Sequence, residues 1–254
     1  MPAVTRPWFE KAFGRGYLAV YPHRDLASAR REVAALVDQG VAGRTLDLGC
    51  GFGRHSLAFA EQGLEVVGLD LSAELLGHAE AFASGSTSSA RVTGRLVRGD
   101  VRSLPLRDRS FDTVCMLFSS FGYFDDEANR GVLAELSRIL RPKGRVVLDL
   151  MNPTRVRASL VPQSTTERDG FVLHETRMLT DEGRRVVKDV RLVETDGAVR
   201  TWHEDVRLYE AQELAELAQA VGLRVVRTHG EFDGAAFGPD AARQIAWLEP
   251  QSGG

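Results

Sequence analysis

The stretch Thr45–Ala60 reads TLDLGCGFGRHSLAFA and decides the fold. A short apolar run gives way to Gly49, Gly51 and Gly53, and apolar residues with helical spacing follow. Because glycine has no Cβ, the backbone can turn sharply here and a ligand can approach it closely. The first turn of the helix also offers N–H groups that have no partner within the helix. The stretch therefore predicts a strand, a ligand-binding turn and a helix, in that order.

Length, composition and charge narrow the class of protein. The chain has 254 residues, of which 43% are apolar, enough for one sizeable globular domain. A net charge of −3 gives no reason to expect nucleic acid or an anionic membrane as a partner. The two cysteines, Cys50 and Cys115, indicate a reducing compartment rather than a disulfide framework. Without a signal-peptide pattern or a transmembrane run, the sequence predicts a soluble, cytoplasmic protein with no membrane association.

Strand and helix patterns alternate through the first 151 residues. Short apolar runs predict strands at residues 44–48, 64–70, 94–100, 110–118 and 145–151. Apolar residues at helical spacing, bounded by cap residues or glycines, predict helices at residues 25–39, 54–62, 72–83 and 125–140. This alternation predicts an α/β fold with parallel strands, right-handed crossovers and helices on both faces of the sheet.

The pattern changes after residue 151. The segments FVLHETRML, RRVVKDVRLVET and AVRTWHEDVRLY have strand composition, and the hairpin signals DEG and TDG separate them. They predict an antiparallel meander between about residues 164 and 209. A helix at 211–221 and two final strands, LRVVRTHG and RQIAWLE, then predict an antiparallel pair at the sheet edge. One domain results, made of a helical cap (1–43), a binding core (44–151), an inserted sheet (152–209) and a C-terminal completion of the core (210–254).

Carboxylates follow two neighbouring predicted strands. Asp70 ends the second strand about 20 residues after Gly49, where a carboxylate can accept hydrogen bonds from both hydroxyls of a ribose. The alternative is a cap for the next helix. Asp100 and Val101 follow the third strand. The carboxylate of Asp100 could accept a hydrogen bond from the exocyclic amine of an adenine. Alternatively, the two residues could merely form a turn. The residues together predict a nucleotide-type ligand at the carboxyl ends of the strands.

The glycine pattern differs from two common nucleotide-binding motifs. Arg54 stands where G-x-G-x-x-G requires its third glycine, and the Gly-Lys-Ser/Thr of a P-loop does not occur. The chain instead resembles the class I S-adenosylmethionine-dependent methyltransferases, whose first motif is an acidic residue followed by G-x-G-x-G, here LDLGCGFG at 46–53. Four further segments resemble later motifs of that family in order: GLDLS at 68–72, GDV at 99–101, FDTVCMLFSSFGYF at 111–124 and LRPKGRVVLDL at 140–150.

The resemblance implies a fold and a cofactor. The sheet would be a seven-stranded Rossmann-like sheet in the order 3-2-1-4-5-7-6 with strand seven antiparallel, and the cofactor would be S-adenosylmethionine. By position, Asp47 would hold the methionine ammonium and Phe118 would offer it a backbone carbonyl. The glycine turn would line the methionine and the ribose: Gly49, Cys50, Gly51 and Gly53.

The resemblance also assigns the adenosine end and bears on the substrate. Asp70 would bind the ribose hydroxyls, Leu71 would pack on the adenine, and Asp100 and Val101 would hold the adenine edge. In the fourth motif, residues 119–123 read SSFGY. They replace the Asp/Asn-Pro-Pro-Tyr/Phe signature of many enzymes that methylate amino groups of bases or glutamine, which argues against such an acceptor.

The motifs assign no catalytic residue and no metal site. A sulfonium methyl group is already activated, so positioning can supply most of the rate acceleration. A general base is needed only if the acceptor must lose a proton. The candidates are His203, His174 and Glu204 in the meander and His23 and His229 elsewhere, because a histidine can titrate near neutrality. The alternative for each of them is a purely structural role. Trp202 and His203 cannot both face a cleft, since alternate strand residues point to opposite faces.

The N-terminal segment is rich in aromatic residues. Phe9, Phe13, Tyr17 and Tyr21 recur at four-residue spacing and predict one helical face. That face could dock on the core, or it could form a lid in which Tyr17, Tyr21 or Arg24 closes the methionine end of the cofactor site. The meander could similarly cover the substrate or form the contact of a homodimer.

Three functions remain open at this point. The leading hypothesis is an enzyme that methylates a small molecule from S-adenosylmethionine. A tRNA or protein methyltransferase would be expected to show a basic patch or an added binding domain. A protein that binds the cofactor without catalysis would keep the same glycine turn and carboxylates, so the motifs do not separate it from an enzyme.

Overall fold

The computed structural model describes residues 7–14, 20–21, 25–84, 95–168 and 170–251. The helices in these ranges are α1 (Trp8–Ala12), α2 (Leu26–Asp38), α3 (Arg54–Glu61), α4 (Ala73–Ser84), α5 (Asp126–Ile139), α6 (Pro153–Ser159) and α7 (Ala211–Gln219). The strands are β1 (Arg44–Leu48), β2 (Glu65–Asp70), β3 (Leu96–Arg98), β4 (Phe111–Met116), β5 (Leu140–Met151), β6 (Gln163–Arg168), β7 (Phe171–Thr180), β8 (Arg185–Glu194), β9 (Val199–Arg207), β10 (Leu223–His229) and β11 (Arg243–Pro250).

Seven strands form the central sheet. Their order is β3-β2-β1-β4-β5-β11-β10. Strand β1 pairs in parallel with β2 and β4, and β4 pairs in parallel with β5. Strand β11 is antiparallel to both β5 and β10. The predicted order and the antiparallel seventh strand are therefore confirmed.

Two apolar clusters cover the faces of this sheet. On one face, α2 and α3 pack Val33, Leu36 and Phe59 against the strands. On the other face, α5 and α7 contribute Leu133 and Leu214 to a second cluster. Strand β1 is almost wholly buried, as expected for a parallel strand with helices on both sides. This three-layer core brings the carboxyl ends of β1, β2 and β4 to one edge of the molecule.

The inserted sheet is antiparallel, as predicted, but it has four strands in the order β6-β7-β8-β9. The additional strand, β6, has the sequence QSTTER and no apolar alternation, so its composition gave no strand signal. It lies at the sheet edge and is fixed by its pairing with β7. Helix α6, which leads from β5 into this sheet, was also not predicted.

Strand β5 begins at Leu140 rather than at the predicted residue 145. Its pairing with β4 shifts register between Phe111 and Thr113, and Lys143 has a left-handed backbone conformation. The predicted turn at residues 141–144 is thus an irregularity inside the strand. Proline and glycine mark a distortion here without ending the strand.

The aromatic N-terminal segment does not form one continuous helical face. Helix α1 ends at Ala12, so Phe13 lies beyond it, and the predicted face is wrong at that point. Helix α1 contacts β9 of the inserted sheet, and Tyr21 packs against a small apolar cluster of the same sheet. Tyr17 and Arg24 lie outside the described residues. None of the helices in the described part of the chain has the length and apolar character needed to cross a membrane.

Candidate active site

The glycine turn between β1 and α3 has the conformation that its sequence predicts. Gly49 and Gly51 have φ values of 74° and 56°, in the left-handed region that favours glycine. A Cβ at Gly49 would lie 3.1 Å from the side chain of Ser120, so the turn also passes close to the chain segment after β4. The N–H groups of Gly49 and Cys50 donate to the carbonyl of Leu69 and tie the turn to β2.

Asp70 stands at the end of β2 beside this turn. Its Oδ2 accepts from the N–H of Gly51 at 2.8 Å, and its Oδ1 accepts from the N–H of Ser72 at 2.8 Å. Burial raises the pKa of the carboxyl, and these backbone donors oppose the shift. Each carboxylate oxygen can still accept a further hydrogen bond. Asp70 therefore supports the turn and retains the capacity to bind a pair of hydroxyls.

The structure brings most of the predicted cofactor residues together. Six of them line one cavity at the carboxyl ends of β1, β2 and β3: Gly49, Gly51, Asp70, Leu71, Asp100 and Val101. Phe9 and Phe13 from the α1 segment cover this cavity, and the carbonyl of Phe13 accepts from Ser72 Oγ at 2.8 Å. The N-terminal segment thus borders this cavity through Phe9 and Phe13, whereas the lid predicted through Tyr17, Tyr21 or Arg24 stays a prediction.

Three predicted residues of the turn region do not line this cavity. Asp47 is 2% exposed, lies beneath the turn and accepts from Ser56 Oγ at 2.6 Å. Burial raises its pKa. Cys50 is buried and packs close to Gly68, while Gly53 caps α3 with a left-handed φ. Asp47, Cys50 and Gly53 therefore support the conformation of the turn. Asp47 also places a carboxylate beneath it.

Asp100 reaches the cavity with its carboxylate already paired. Arg102 donates through Nη2 to Asp100 Oδ2 at 2.6 Å and through its backbone N–H to Oδ1 at 2.9 Å. The hydrogen bond from the Arg102 side chain holds the pKa of Asp100 below its ordinary value. The guanidinium also lies over the ring of Phe124, another residue of the cavity wall.

Phe118 occupies a turn that the sequence did not mark as unusual. Phe118 and Ser119 follow β4 with φ values of 60° and 58°, which non-glycine residues rarely adopt. Asp149, fully buried at 0% exposure, accepts the N–H of Phe118 through Oδ2 at 2.8 Å. Its backbone carbonyl accepts the N–H of Ser119 at 2.9 Å. Arg243 donates to the other oxygen of Asp149 and completes the support.

The comparisons with known proteins decide the family. A family described as a methyltransferase domain matches residues 45–144. The cypemycin N-terminal methyltransferase of a Streptomyces species is 30% identical over 217 residues, which cover 82% of this chain and 84% of that protein. The chain belongs to the class I S-adenosylmethionine-dependent methyltransferases.

Two further relatives extend over most of this methyltransferase. The dTDP-3-amino-3,4,6-trideoxy-alpha-D-glucopyranose N,N-dimethyltransferase of Streptomyces venezuelae is 28% identical over 82% of this chain and 87% of its own. The solved structure of the CcbJ methyltransferase from Streptomyces caelestis superposes with a TM-score of 0.79, at 19% identity. That superposition covers 96% of this chain and 98% of CcbJ. The likeness in structure includes the inserted sheet.

The residues present fit the cofactor of this family. The backbone of Gly51 is open, since a Cβ there would meet nothing nearer than Leu75 at 3.9 Å. Asp70 offers acceptors for ribose hydroxyls beside it, and Asp47 offers a carboxylate beneath the turn. S-adenosylmethionine supplies an already activated methyl group, and the methyltransferase supplies binding and orientation.

A second and larger cavity of about 700 Å³ adjoins the first. Phe13 and Tyr123 line both cavities, and their rings stack with centroids 5.7 Å apart. Phe118 and Arg243 form the wall on the side of the core sheet. The inserted sheet forms the opposite wall.

A charged cluster occupies the wall formed by the inserted sheet. Tyr21 Oη donates to Glu204 Oε1 at 3.1 Å, and Lys188 Nζ lies 2.9 Å from Glu204 Oε2 and also donates to Tyr21. Burial, followed by the charge of Glu204, raises the pKa of Tyr21 well above its ordinary value. Tyr21 therefore lies in this larger cavity, away from the glycine turn.

His203 and His174 lie on the other face of the inserted sheet. Glu204, the next residue after His203, faces the large cavity, as strand alternation requires. His203 Nδ1 instead lies 2.8 Å from Asp189 Oδ1, and both histidines line a separate surface hollow. The structure does not bring either histidine to the cavity beside Phe118.

Replacing Asp70 by alanine should weaken cofactor binding by roughly 1–3 kcal/mol, because charge-assisted hydrogen bonds to the ribose are lost. Titration calorimetry with S-adenosylhomocysteine measures the change. Asp196→Ala is the matched control, because Asp196 also accepts an N–H two residues ahead, from Ala198 at 2.8 Å, in a remote hairpin. Equal affinities for wild type and Asp70→Ala would refute the ribose assignment.

Proposed function

We propose that the methyltransferase transfers a methyl group from S-adenosylmethionine to an amine nitrogen of a small molecule. The observation that carries this proposal is a pair of largely buried carboxylates, Glu175 and Glu204, in the wall of the 700 Å³ cavity. Cavities of about 300–1,000 Å³ typically hold small organic ligands. The names of the two curated relatives support nitrogen as the acceptor atom, one through an N-terminus and the other through an amino sugar.

Glu175 has the freer carboxylate of the two. Its Oε2 accepts from Ser164 Oγ at 3.1 Å and pairs with Arg177 at 2.7 Å. Its Oε1 lies 3.8 Å from Lys188 Nζ, beyond hydrogen-bond distance. Glu204 already accepts from Tyr21, Trp202 and Lys188. We therefore assign Glu175 Oε1 to the acceptor amine.

In this assignment the Glu175 carboxylate orients the acceptor amine and can take up its proton. An amine attacks through its lone pair, so the nitrogen must be neutral and must point at the methyl group. A carboxylate at the nitrogen can accept the proton that is lost and fix the orientation of the remaining N–H. The aromatic rings of Phe118 and Tyr123 line the same cavity, and Tyr123 also lines the cofactor cavity.

Turnover on a panel of acceptors tests the proposal. The panel holds amino sugars, peptides with free N-termini, hydroxylated aromatics and quinols, because one fold serves many acceptors. We expect mass spectrometry to find methylated amines. Methylation of the hydroxyl or carbon acceptors alone would contradict the proposal. Cofactor binding without turnover on any acceptor would favour the non-catalytic alternative.

Glu175→Gln should then lower kcat/KM for the amine by about tenfold or more, because a charge-assisted contact and a proton acceptor are lost together. Cofactor affinity should stay unchanged. Asp189→Asn is the matched control, because Asp189 is a paired carboxylate on the opposite face of the same sheet. An equal loss of kcat/KM in both variants would show that Glu175 does not contact the acceptor amine.

In this proposal the N-terminal segment acts as a lid over the cofactor cavity. With Phe9 and Phe13 in place, the cofactor cavity holds about 90 Å³, well below the several hundred Å³ of a small-molecule site. We propose that the α1 segment swings outward to admit the cofactor. The predicted homodimer and cytoplasmic location stay predictions. Both cysteines are free and buried, which is compatible with a reducing compartment.

A further inference from the structure

The cationic side chains that line the 700 Å³ cavity in the described part of the chain each pair with a carboxylate. The pairs are Arg177 with Glu175, whose Nη2 and Oε2 lie 2.7 Å apart, Lys188 with Glu204, whose Nζ and Oε2 lie 2.9 Å apart, and Arg243 with Asp149. All six side chains are at most 24% exposed, so solvent screens these pairs little. The positive and negative charges cancel, and these side chains therefore offer a ligand no surplus positive charge.

This balance of charge disfavours an acceptor that carries phosphate. A phosphate group is usually bound by charge-assisted hydrogen bonds from arginine or lysine. In this cavity it would have to take a cation from a buried carboxylate, and a buried charge left without its partner is costly. It would also lie in the same cavity as the carboxylates of Glu175 and Glu204. A nucleotide-linked amine therefore fits the cavity poorly.

Helix α6 and the residues after it give the cavity an apolar wall. Val156 lines the cavity from the helix, and Leu160 and Val161 continue the wall after its end. Arg155 and Arg157, on either side of Val156, are exposed and donate to groups that do not line the cavity. The helix thus presents its valine to the cavity and its arginines to solvent and to other segments.

The inserted sheet continues this apolar wall beside the charged cluster. Val186 lies two residues before Lys188 on β8, and Val206 lies two residues after Glu204 on β9, so each valine shares a strand face with a charged residue of the cavity. Val161 is 57% exposed and also lines the cavity, so the apolar surface reaches the rim. Burying an apolar chain or ring against such a surface is favourable.

We propose that the acceptor is an apolar amine, in which the nitrogen is carried by a hydrocarbon or aromatic body without phosphate. This inference rests on the proposed transfer to nitrogen and adds the chemical nature of the group that carries it. The amine binds Glu175 Oε1, as assigned above, and the apolar body lies against Val156, Leu160 and Val186.

A series of amines that differ in chain length tests the apolar wall. Calorimetric titration of the protein saturated with S-adenosylhomocysteine uses butylamine, hexylamine and octylamine. We expect the affinity to rise about threefold to fourfold with each added methylene, as for a buried methylene group. An affinity that does not rise with chain length, or no measurable binding of octylamine, would overturn the proposal.

A phosphorylated amine tests the balance of charge. Aminohexyl phosphate, with its amine and its phosphate at opposite ends, presents the same amine on the same chain as hexylamine. We expect it to bind at least about tenfold more weakly than hexylamine, because its phosphate finds no unpaired cation and shares the cavity with two carboxylates. Equal or tighter binding of aminohexyl phosphate would contradict the proposal.

Val156→Thr changes the wall at nearly constant volume. It should weaken octylamine binding about fivefold or more, because its hydroxyl would be buried against a hydrocarbon chain, and it should leave the affinity for S-adenosylhomocysteine unchanged. Val226→Thr is the matched control, since Val226 is a 39% exposed valine on β10 that does not line the cavity. If Val156→Thr does not fold, Val186→Thr makes the same comparison from the inserted sheet. Wild-type affinity for octylamine in the folded variant would refute the placement of the apolar body.

Turnover with S-adenosylmethionine separates this inference from the proposed function. Methylation of the hexylamine nitrogen in preference to that of aminohexyl phosphate supports both. Methylation of aminohexyl phosphate or of nucleotide-linked amino sugars, with hexylamine unchanged, would overturn the apolar class and keep nitrogen as the acceptor atom. Transfer to hydroxyl or carbon acceptors alone would overturn the proposed function, and this inference with it.

Discussion

Replacing Gly51 by valine should lower cofactor affinity by at least about a hundredfold and leave the central sheet folded. Gly51 has a φ of 56° and lines the cofactor cavity. A Cβ there would point toward Leu75, another residue of the cavity wall, so the methyl groups of valine would take up space that the ligand needs. Calorimetry with S-adenosylhomocysteine measures the loss, and circular dichroism reports the fold.

The strain of a left-handed side chain must be separated from the blocking of the cavity. A non-glycine residue in this conformation costs about 1–2 kcal/mol, and a β-branched one more. Gly63→Val is the matched control: Gly63 has a φ of 83°, and a Cβ there would meet no atom within 4 Å. Gly63→Val should lose similar stability and keep its affinity. If it lost affinity as Gly51→Val does, strain and not occlusion would explain the effect.

The features that the sequence predicted are local in the chain. The glycine turn and each strand or helix pattern are visible within a window of about ten residues, where spacing determines backbone conformation. Asp70 was predicted as a ribose ligand from its place at the end of the second strand, about 20 residues after Gly49. In the structure its carboxylate accepts from the N–H groups of Gly51 and Ser72, at the same edge of the sheet. Residues in such positions are fixed by the fold class, so recognising the fold places them.

The features that it missed depend on distant residues. Asp149 and Arg243 are 94 positions apart and meet only because β5 and β11 are neighbours in the sheet. Nothing local distinguishes Asp149 from any other acidic residue in a strand. The edge strand β6 was not predicted for a related reason, since its polar residues form a strand only by pairing with β7.

The buried pair of Asp149 and Arg243 supports both the stability of the protein and the turn at Phe118. Asp149→Ala should lower the free energy of unfolding by about 3–5 kcal/mol, because it leaves Arg243 and the N–H of Phe118 without their buried partner. The left-handed conformations of Phe118 and Ser119 persist only while their surroundings hold them. We therefore expect the turn to relax and cofactor affinity to fall as well. Urea unfolding measures the stability, and calorimetry measures the affinity.

Asp112→Ala is the control for the buried environment of Asp149. Asp112 likewise accepts a backbone N–H, from Arg44 at 2.8 Å, and pairs with an arginine, Arg141, at 2.7 Å. Its side chain is 39% exposed, whereas that of Asp149 is fully buried. Exposed ion pairs contribute about 0–1 kcal/mol, so Asp112→Ala should lose little stability and no cofactor affinity. If the two variants lost equal stability and equal cofactor affinity, burial would not strengthen the Asp149–Arg243 pair. The pair would then not be what holds the Phe118 turn in place.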